Sequence, residues 1–152
     1  MRTQMTTIAI AVLAGAMFAL PAQSATKDDA VAMVKKTVDV IKAEGTEKAY
    51  AEINAGGKFV DGEVYVVVLG SDGTTLAHAT NPKLIGKNMM EVQDVDGKYF
   101  TKDMVTMGQK QASFWYDFKF ANPVTKKIQV KDMYCESQTA TVTIVCAGVY
   151  RP

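Results

Sequence analysis

His78 is the only imidazole in 152 residues, so any chemistry that needs a group titrating near neutral pH falls to it. It stands just before Asn81-Pro82 and leads into the stretch Leu84 to Phe100, which holds Leu84-Ile85-Gly86-Lys87 and Asp94-Val95-Asp96-Gly97. Tyr65, Trp115, Tyr116 and Tyr134 offer rigid apolar walls with polar tips, and Lys131 offers an ammonium to an anion. A histidine, a lysine and phenols near one long loop suit recognition of a small anionic or zwitterionic metabolite. Side chains alternate along a strand, so Trp115 and Tyr116 point to opposite faces. Lys131 and Tyr134 are an odd number of positions apart, so a regular strand aims only one of them into a pocket. Tyr134 is the preferred wall, because an aromatic ring is harder to place in solvent, with Lys131 reaching over the rim.

Other chemistries lack their parts. No Gly-x-Ser-x-Gly elbow accompanies the lone histidine, and no Gly-rich phosphate loop is present, so the chain is not expected to be an enzyme. A small hydrolase or isomerase using His78 with Asp94 or Asp96 is the remaining catalytic reading. Cys135, Cys146 and His78 would make a three-ligand metal set without Cys-x-x-Cys spacing, and the same absence counts against a redox pair. Asp94-Val95-Asp96-Gly97 begins like a calcium loop, but Val105 stands where the closing Glu belongs. No metal or other cofactor is expected.

Composition and the first residues set the compartment. The chain is 48% hydrophobic and 22% charged with a net charge of +1, an ordinary globular balance. It has no basic cluster, which argues against nucleic acid as a partner. Arg2, the uncharged run Ile8 to Leu20, then Pro21 and the small residues Ala22, Ser24 and Ala25 follow the order of a secretory signal peptide. Residues 1–25 are read as that leader, with a cut after Ser24 or Ala25, and 26–152 as one domain. A membrane anchor is the alternative, but the apolar core is short for a span. The mature chain is therefore expected to be soluble in the periplasm or outside the cell, with no membrane span. In that compartment two cysteines predict a Cys135–Cys146 disulfide. Their midpoint falls in the polar turn Ser137 to Thr141, so a hairpin centred there sets them opposite each other on one face.

The elements that must position these residues follow from periodicity. Thr26 caps a first helix with Asp28 and Asp29 in its first turn, and Val31, Val34, Val38 and Ile41 form its apolar stripe. Gly45 stops it, and Thr46 caps a second helix from Glu47 to Asn54. Glu63 to Leu69 is a central strand, and Gly70-Ser71-Asp72-Gly73 turns it into Thr74 to Thr80, where Leu76 and His78 share a face. Lys98 to Gln111 is helical, and Ser113–Phe120, Lys127–Glu136 and Val142–Tyr150 complete the sheet. The result is an α+β domain: a five-stranded antiparallel sheet, a long N-terminal helix on one face, and a loop-helix insertion over the other. The pocket belongs under that insertion, because a long loop in a compact domain is usually functional.

In order and spacing these pieces resemble the second subtype of the single Cache domain, the PAS-like extracytoplasmic sensor module of chemoreceptors and sensor kinases. The resemblance rests on the Tyr65 strand, His78 before Asn81-Pro82, Leu84-Ile85-Gly86-Lys87-Asn88 and Asp94-Val95-Asp96-Gly97-Lys98-Tyr99-Phe100. It continues through Tyr116, Asn122-Pro123-Val124-Thr125-Lys126-Lys127-Ile128, Lys131, Tyr134 and Gly148-Val149-Tyr150. It implies a PAS-like sheet that binds small organic acids or related metabolites beside the insertion. Receptor members continue into a transmembrane helix and a signalling domain, whereas this sequence stops at Pro152, so action through a partner, a membrane receptor or sensor kinase, is expected. Thr143 stands where the family often has Trp, and the two cysteines are not general to it.

Three functions follow in order of preference. The first is a periplasmic small-molecule binding and sensing module with His78, Tyr116, Lys131, Tyr134, Tyr65 and Trp115 as ligand contacts. The second is a structural or protein-interaction domain with no ligand. The third is the small enzyme using His78. A cavity beneath the insertion favours the first, and a collapsed interior the second.

Overall fold

The computed structural model describes residues 24–152, so the leader read over 1–25 lies, apart from Ser24 and Ala25, outside the described residues. Helix α1, Lys27–Glu44, opens on the expected cap: Thr26 Oγ1 accepts from Asp29 N–H at 3.3 Å, and Asp29 Oδ2 accepts from Thr26 N–H at 2.7 Å. This reciprocal box satisfies two of the donors a helix start leaves free. Ala30, Val34, Thr37, Val38 and Ile41 form the buried stripe, while Val31 is only half-buried at its margin. Gly45, at φ +82°, ends α1 with its N–H on Ile41 O and is itself the N-cap of α2, Thr46–Asn54. Thr46 is therefore the first helical residue and not the cap expected of it. A positive φ that glycine tolerates lets one residue serve both helices.

The sheet is antiparallel throughout. After a two-residue strand β1 (Val60–Asp61) come β2 (Val64–Gly70), β3 (Thr75–His78), β4 (Ser113–Ala121), β5 (Ile128–Gln138) and β6 (Thr143–Tyr150). β1, which periodicity does not predict, pairs with the start of β2. The five longer strands lie in the order β3–β2–β6–β5–β4, so β2, β6 and β5 are interior and β3 and β4 are edges. β2 and β6 are buried along their whole length, as strands covered on both faces must be. Helix α1 packs on β2, β5 and β6 from one side.

The opposite side carries the insertion between β3 and β4. It pairs back onto the β2–β3 turn through Thr75 N–H to Lys87 O (2.9 Å) and Met89 N–H to Gly73 O (2.9 Å). Helix α3, Phe100–Gly108, lies against β4 and β5; it is shorter than expected at both ends. Asp94 closes the turn before it by accepting Asp96 and Lys98 N–H with Oδ1. Its Oδ2 accepts Lys119 N–H on β4 at 2.9 Å. The Asp-x-Asp-Gly segment thus protects an exposed sheet edge, whose free N–H groups would otherwise invite another strand.

Two features set the phase of the strands. A bulge between β2 and β3 pairs Leu69 with Thr75 but Val68 with Ala77, so Leu76 is the extra residue. His78 therefore shares its face with Thr75 and not, as alternation suggests, with Leu76. The β5–β6 register runs Lys131–Tyr150, Met133–Gly148, Cys135–Cys146. The predicted hairpin forms, and the two cysteines are bridged with Cα atoms 4.2 Å apart.

Candidate ligand-binding site

The insertion leaves a cavity of about 40 Å³ above the sheet. Its walls come from β2 (Tyr65, Val67, Leu69), β3 (Thr75, His78), the insertion (Leu84, Met89), α3 (Phe100, Thr101, Met104), β4 (Phe118, Phe120) and β5 (Lys131, Met133). At 10–15 Å³ per water, this admits roughly three waters or one short organic molecule. The pocket is mostly apolar, with a few polar groups converging on it.

Lys131 is the unusual member. It is 1% exposed, and no Asp or Glu among the described residues comes within ion-pair distance of its Nζ. Its surroundings are aromatic: Nζ lies 3.7 Å from the centre of the Tyr65 ring and 5.0 Å from that of Tyr150. Burial pushes the ammonium pKa down, opposed by the electron-rich Tyr65 and by the charge of Glu63. Glu63 is committed elsewhere, accepting from Asn122 Nδ2 at 2.8 Å and from Tyr150 N–H at 3.3 Å. Room for the lysine stem comes from Gly148, where an added Cβ would lie 2.9 Å from Lys131 Cε and 2.6 Å from Asp132 O.

His78 is held from two sides. Its N–H donates to Asn54 Oδ1 of α2 at 2.9 Å, and its ring Nδ1 accepts from Asn81 N–H at 3.0 Å and Thr80 N–H at 3.3 Å. A nitrogen that accepts cannot carry the proton, so the ring is the neutral Nε2–H tautomer, a donor. Burial, reinforced by the positive Lys131, lowers its pKa to about 4. The Tyr65 ring lies 5.2 Å from the imidazole. Tyr150 Oη donates to Ala121 O at 2.9 Å and lies 3.1 Å from Tyr65 Oη. With its proton so used, Tyr150 accepts from Tyr65, and the Tyr65 oxygen keeps only acceptor capacity.

Of the six residues singled out from sequence, the structure brings Tyr65, His78 and Lys131 together at the cavity. Tyr116 shares the face of Phe118 but lies outside the cavity wall, with Oη donating to Asp103 Oδ2 of α3 at 2.6 Å. Burial and that carboxylate both raise its pKa. Tyr134 and Trp115 stand on the other face, ring centres 5.2 Å apart, with Lys27 of α1 over the indole at 4.9 Å. Tyr134 Oη donates to Glu136 Oε1. Of Lys131 and Tyr134, strand phase thus puts the lysine inside and the tyrosine outside, the reverse of the preference drawn from sequence. Phe118, Phe120 and Met133 also line the cavity, although the sequence reading does not single them out. Parity alone would have found them, since Phe114, Tyr116, Phe118 and Phe120 alternate down β4, and Met133 shares its phase with Lys131. Phe100 stacks on Phe118 with centres 4.6 Å apart and meets Phe120 edge-on at 5.8 Å, which fixes α3 as the outer wall.

The catalytic reading loses its geometry here. His78 is on edge strand β3, whereas Asp94 and Asp96 are tied to the opposite edge through Lys119. Among the described residues, no group of three or more His, Cys, Asp or Glu side chains is placed to hold a metal ion, and no helix is long and apolar enough to cross a membrane. What the site can do is hold a small molecule carrying one negative group and a short apolar part.

Known proteins share this architecture. A methyl-accepting chemotaxis protein from Vibrio parahaemolyticus superposes with a TM-score of 0.72 at 21% identity, over 82% of this chain and 87% of that one. The periplasmic sensor domain of a chemotaxis protein gives 0.65 at 19%, over 82% and 90%. A Cache chemosensory domain described for its carboxylic acid recognition gives 0.65 at 20%, over 82% and 88%. At such identities the likeness is one of fold. No curated protein sequence matches the chain. The model of the family described as single Cache domain 2 matches residues 3–151, and the chain belongs to that family.

Proposed function

We propose that this chain is an exported sensor module that binds a short monocarboxylate in the cavity between sheet and insertion and passes its occupancy to a partner receptor or sensor kinase. The observation that carries this reading is Lys131, a buried amine in the cavity wall with no carboxylate of its own. A ligand carboxylate supplies the missing counter-charge, and the His78 Nε2–H adds a neutral donor. The carboxylic acid recognition described for one structural neighbour agrees with this. The leader-like first residues support export, and the membership in a Cache family supports a binding role over catalysis.

The wall also sets selectivity. One cationic side chain lines the cavity, so a dicarboxylate would bury a second charge without a partner. No carboxylate lines it, so the ammonium of an amino acid is disfavoured in the same way. The narrow volume restricts the tail to a few carbons. A thermal-shift series with acetate, propionate, succinate and alanine tests this. Acetate or propionate at a hundred times its Kd should stabilise the fold by about 2.7 kcal/mol, with the other two inert. Stabilisation by succinate or alanine alone would refute the selectivity, and silence from all four would leave the ligand-free interaction domain as the better reading.

A further inference from the structure

We infer that a second cavity, further along helix α3 than the first, binds an uncharged polyol of about monosaccharide size. This cavity measures about 230 Å³ and lies where three elements meet: the C-terminal half of α3, the β5–β6 hairpin and the β2–β3 turn. Thr101 and Met104 of α3 line the first cavity, whereas Val105 and Gly108 line the second. Its volume takes on the order of fifteen waters, or an organic molecule of about a dozen non-hydrogen atoms. The first cavity, at about 40 Å³, holds nothing of that size.

The wall is held together by its own contacts. Ser137 Oγ, on the hairpin, donates toward two carbonyls at the end of α3, Gly108 O at 2.8 Å and Gln111 O at 2.9 Å. Gly108 permits this approach, since an added Cβ would lie 2.6 Å from Ile144 Cδ1. The hairpin also carries Val142, a β-branched residue at φ +53° that is 62% exposed and lines the cavity. That conformation is strained for valine, and such strain collects at ligand clamps.

The lining groups set the ligand class. None of them is charged, so an ionic ligand would enter without a counter-charge. Ser71, Gln109, Gln138 and Thr139 present two hydroxyls and two carboxamides, groups that each donate and accept. Ser137 and Thr143 are engaged within the protein, Thr143 with Thr141 at 2.7 Å, so these four are left for a ligand. Sugar hydroxyls also donate and accept, and match such a wall in either sense. Val105, Val142 and Ile144 offer apolar surface against which the C–H face of a sugar ring sheds water. A purely apolar ligand would strip water from the four polar side chains and return no hydrogen bond.

The test uses the exported protein, isotope-labelled for NMR, with glucose as probe and glucuronate and glucosamine as charged counterparts of similar size. Glucose should give saturable amide shifts at Ser71, Gln109, Gln138 and Thr139 and leave His78 and Lys131 unmoved. Each charged counterpart should bind about tenfold or more weakly, since its charge finds no partner. The double variant Gln109→Ala/Gln138→Ala should lose about tenfold or more in glucose affinity, the effect of two hydrogen bonds. Glucose that moves none of the four amides overturns the proposal, as do shifts that spread over the surface without saturating. Shifts centred on His78 and Lys131 would put the sugar in the first cavity and also refute it. So would a charged counterpart that binds as tightly as glucose, or a double variant that binds like the parent. The first cavity is read separately with propionate, so failure here leaves the carboxylate reading standing.

Discussion

Lys131 and Asp132 are neighbours on β5 that face opposite sides of the sheet, and both are largely buried. On the α1 side Asp132 is fully answered: Arg151 Nε donates to Oδ2 at 3.0 Å, Arg151 Nη2 donates to Oδ1 at 2.6 Å, and Lys27 Nζ stands 3.7 Å away. That pairing, led by the bond to Arg151, holds the Asp132 carboxyl below its usual pKa. On the insertion side Lys131 has two aromatic rings and a cavity. One charge is part of the structure, joining the helix start to the chain end. The other has no such partner, and its burial costs the fold stability. An unpaired buried charge beside a cavity is where a protein gives up stability for binding.

The largest expected effect that sharpens this contrast concerns His78. Its pKa is depressed in the fold, so its contribution is whole above the unfolded value near 6.5 and is lost as pH falls toward about 4. Below about pH 6.5 the unfolded chain takes up a proton there and the folded one does not, a loss of up to about 3 kcal/mol. Denaturant melts between pH 7 and 4 should show this loss in the parent and not in His78→Asn, whose Oδ1 can still accept from Asn81. Equal pH slopes in the two would mean the imidazole is not held neutral.

Next is the disulfide, which lies on the insertion face, with Cys135 Sγ 3.9 Å from Met104 Sδ of α3. Replacing both cysteines by alanine should cost about 2–3 kcal/mol in denaturant melts, as expected for a short closed loop. It should also weaken ligand binding, because α3 is a cavity wall. The smallest effects carry opposite signs. Asp132→Asn should destabilise by about 1 kcal/mol, discounted because Arg151 and Lys27 are more than half exposed. Lys131→Met should stabilise the empty domain by about 1 kcal/mol, since a buried amine without a counter-ion gives way to an apolar chain of similar volume. Equal destabilisation by both would erase the distinction between the two faces.

Much of this arrangement is legible in the chain. The strands declare themselves by composition, the first helix by its cap and stripe, and the hairpin by two cysteines centred on a polar turn. What the residues do not declare is phase. Along β5 the residues from Lys131 to Cys135 are all buried, so burial preference does not say which of Lys131 and Tyr134 faces the insertion. The disulfide could have settled it, because Cys135 shares parity with Lys131 and its partner Cys146 shares parity with Gly148, whose missing side chain makes room for the lysine. The bulge at Leu76 is beyond local reading for a similar reason: the register shift comes from pairing with β2, not from the Thr75–His78 sequence itself. Gly45 reads from sequence as the end of one helix, but its double role depends on the direction α2 takes afterwards.

The proposed binding point for a ligand's carboxylate is the unpaired amine of Lys131. Titration calorimetry with propionate on the parent and on Lys131→Met, at the same pH and salt, addresses it most directly. The predicted result is a one-to-one isotherm for the parent and an affinity lower by roughly ten- to a hundredfold for the variant, the usual cost of losing a charged hydrogen bond. A folded Lys131→Met protein that binds propionate as tightly as the parent would contradict it.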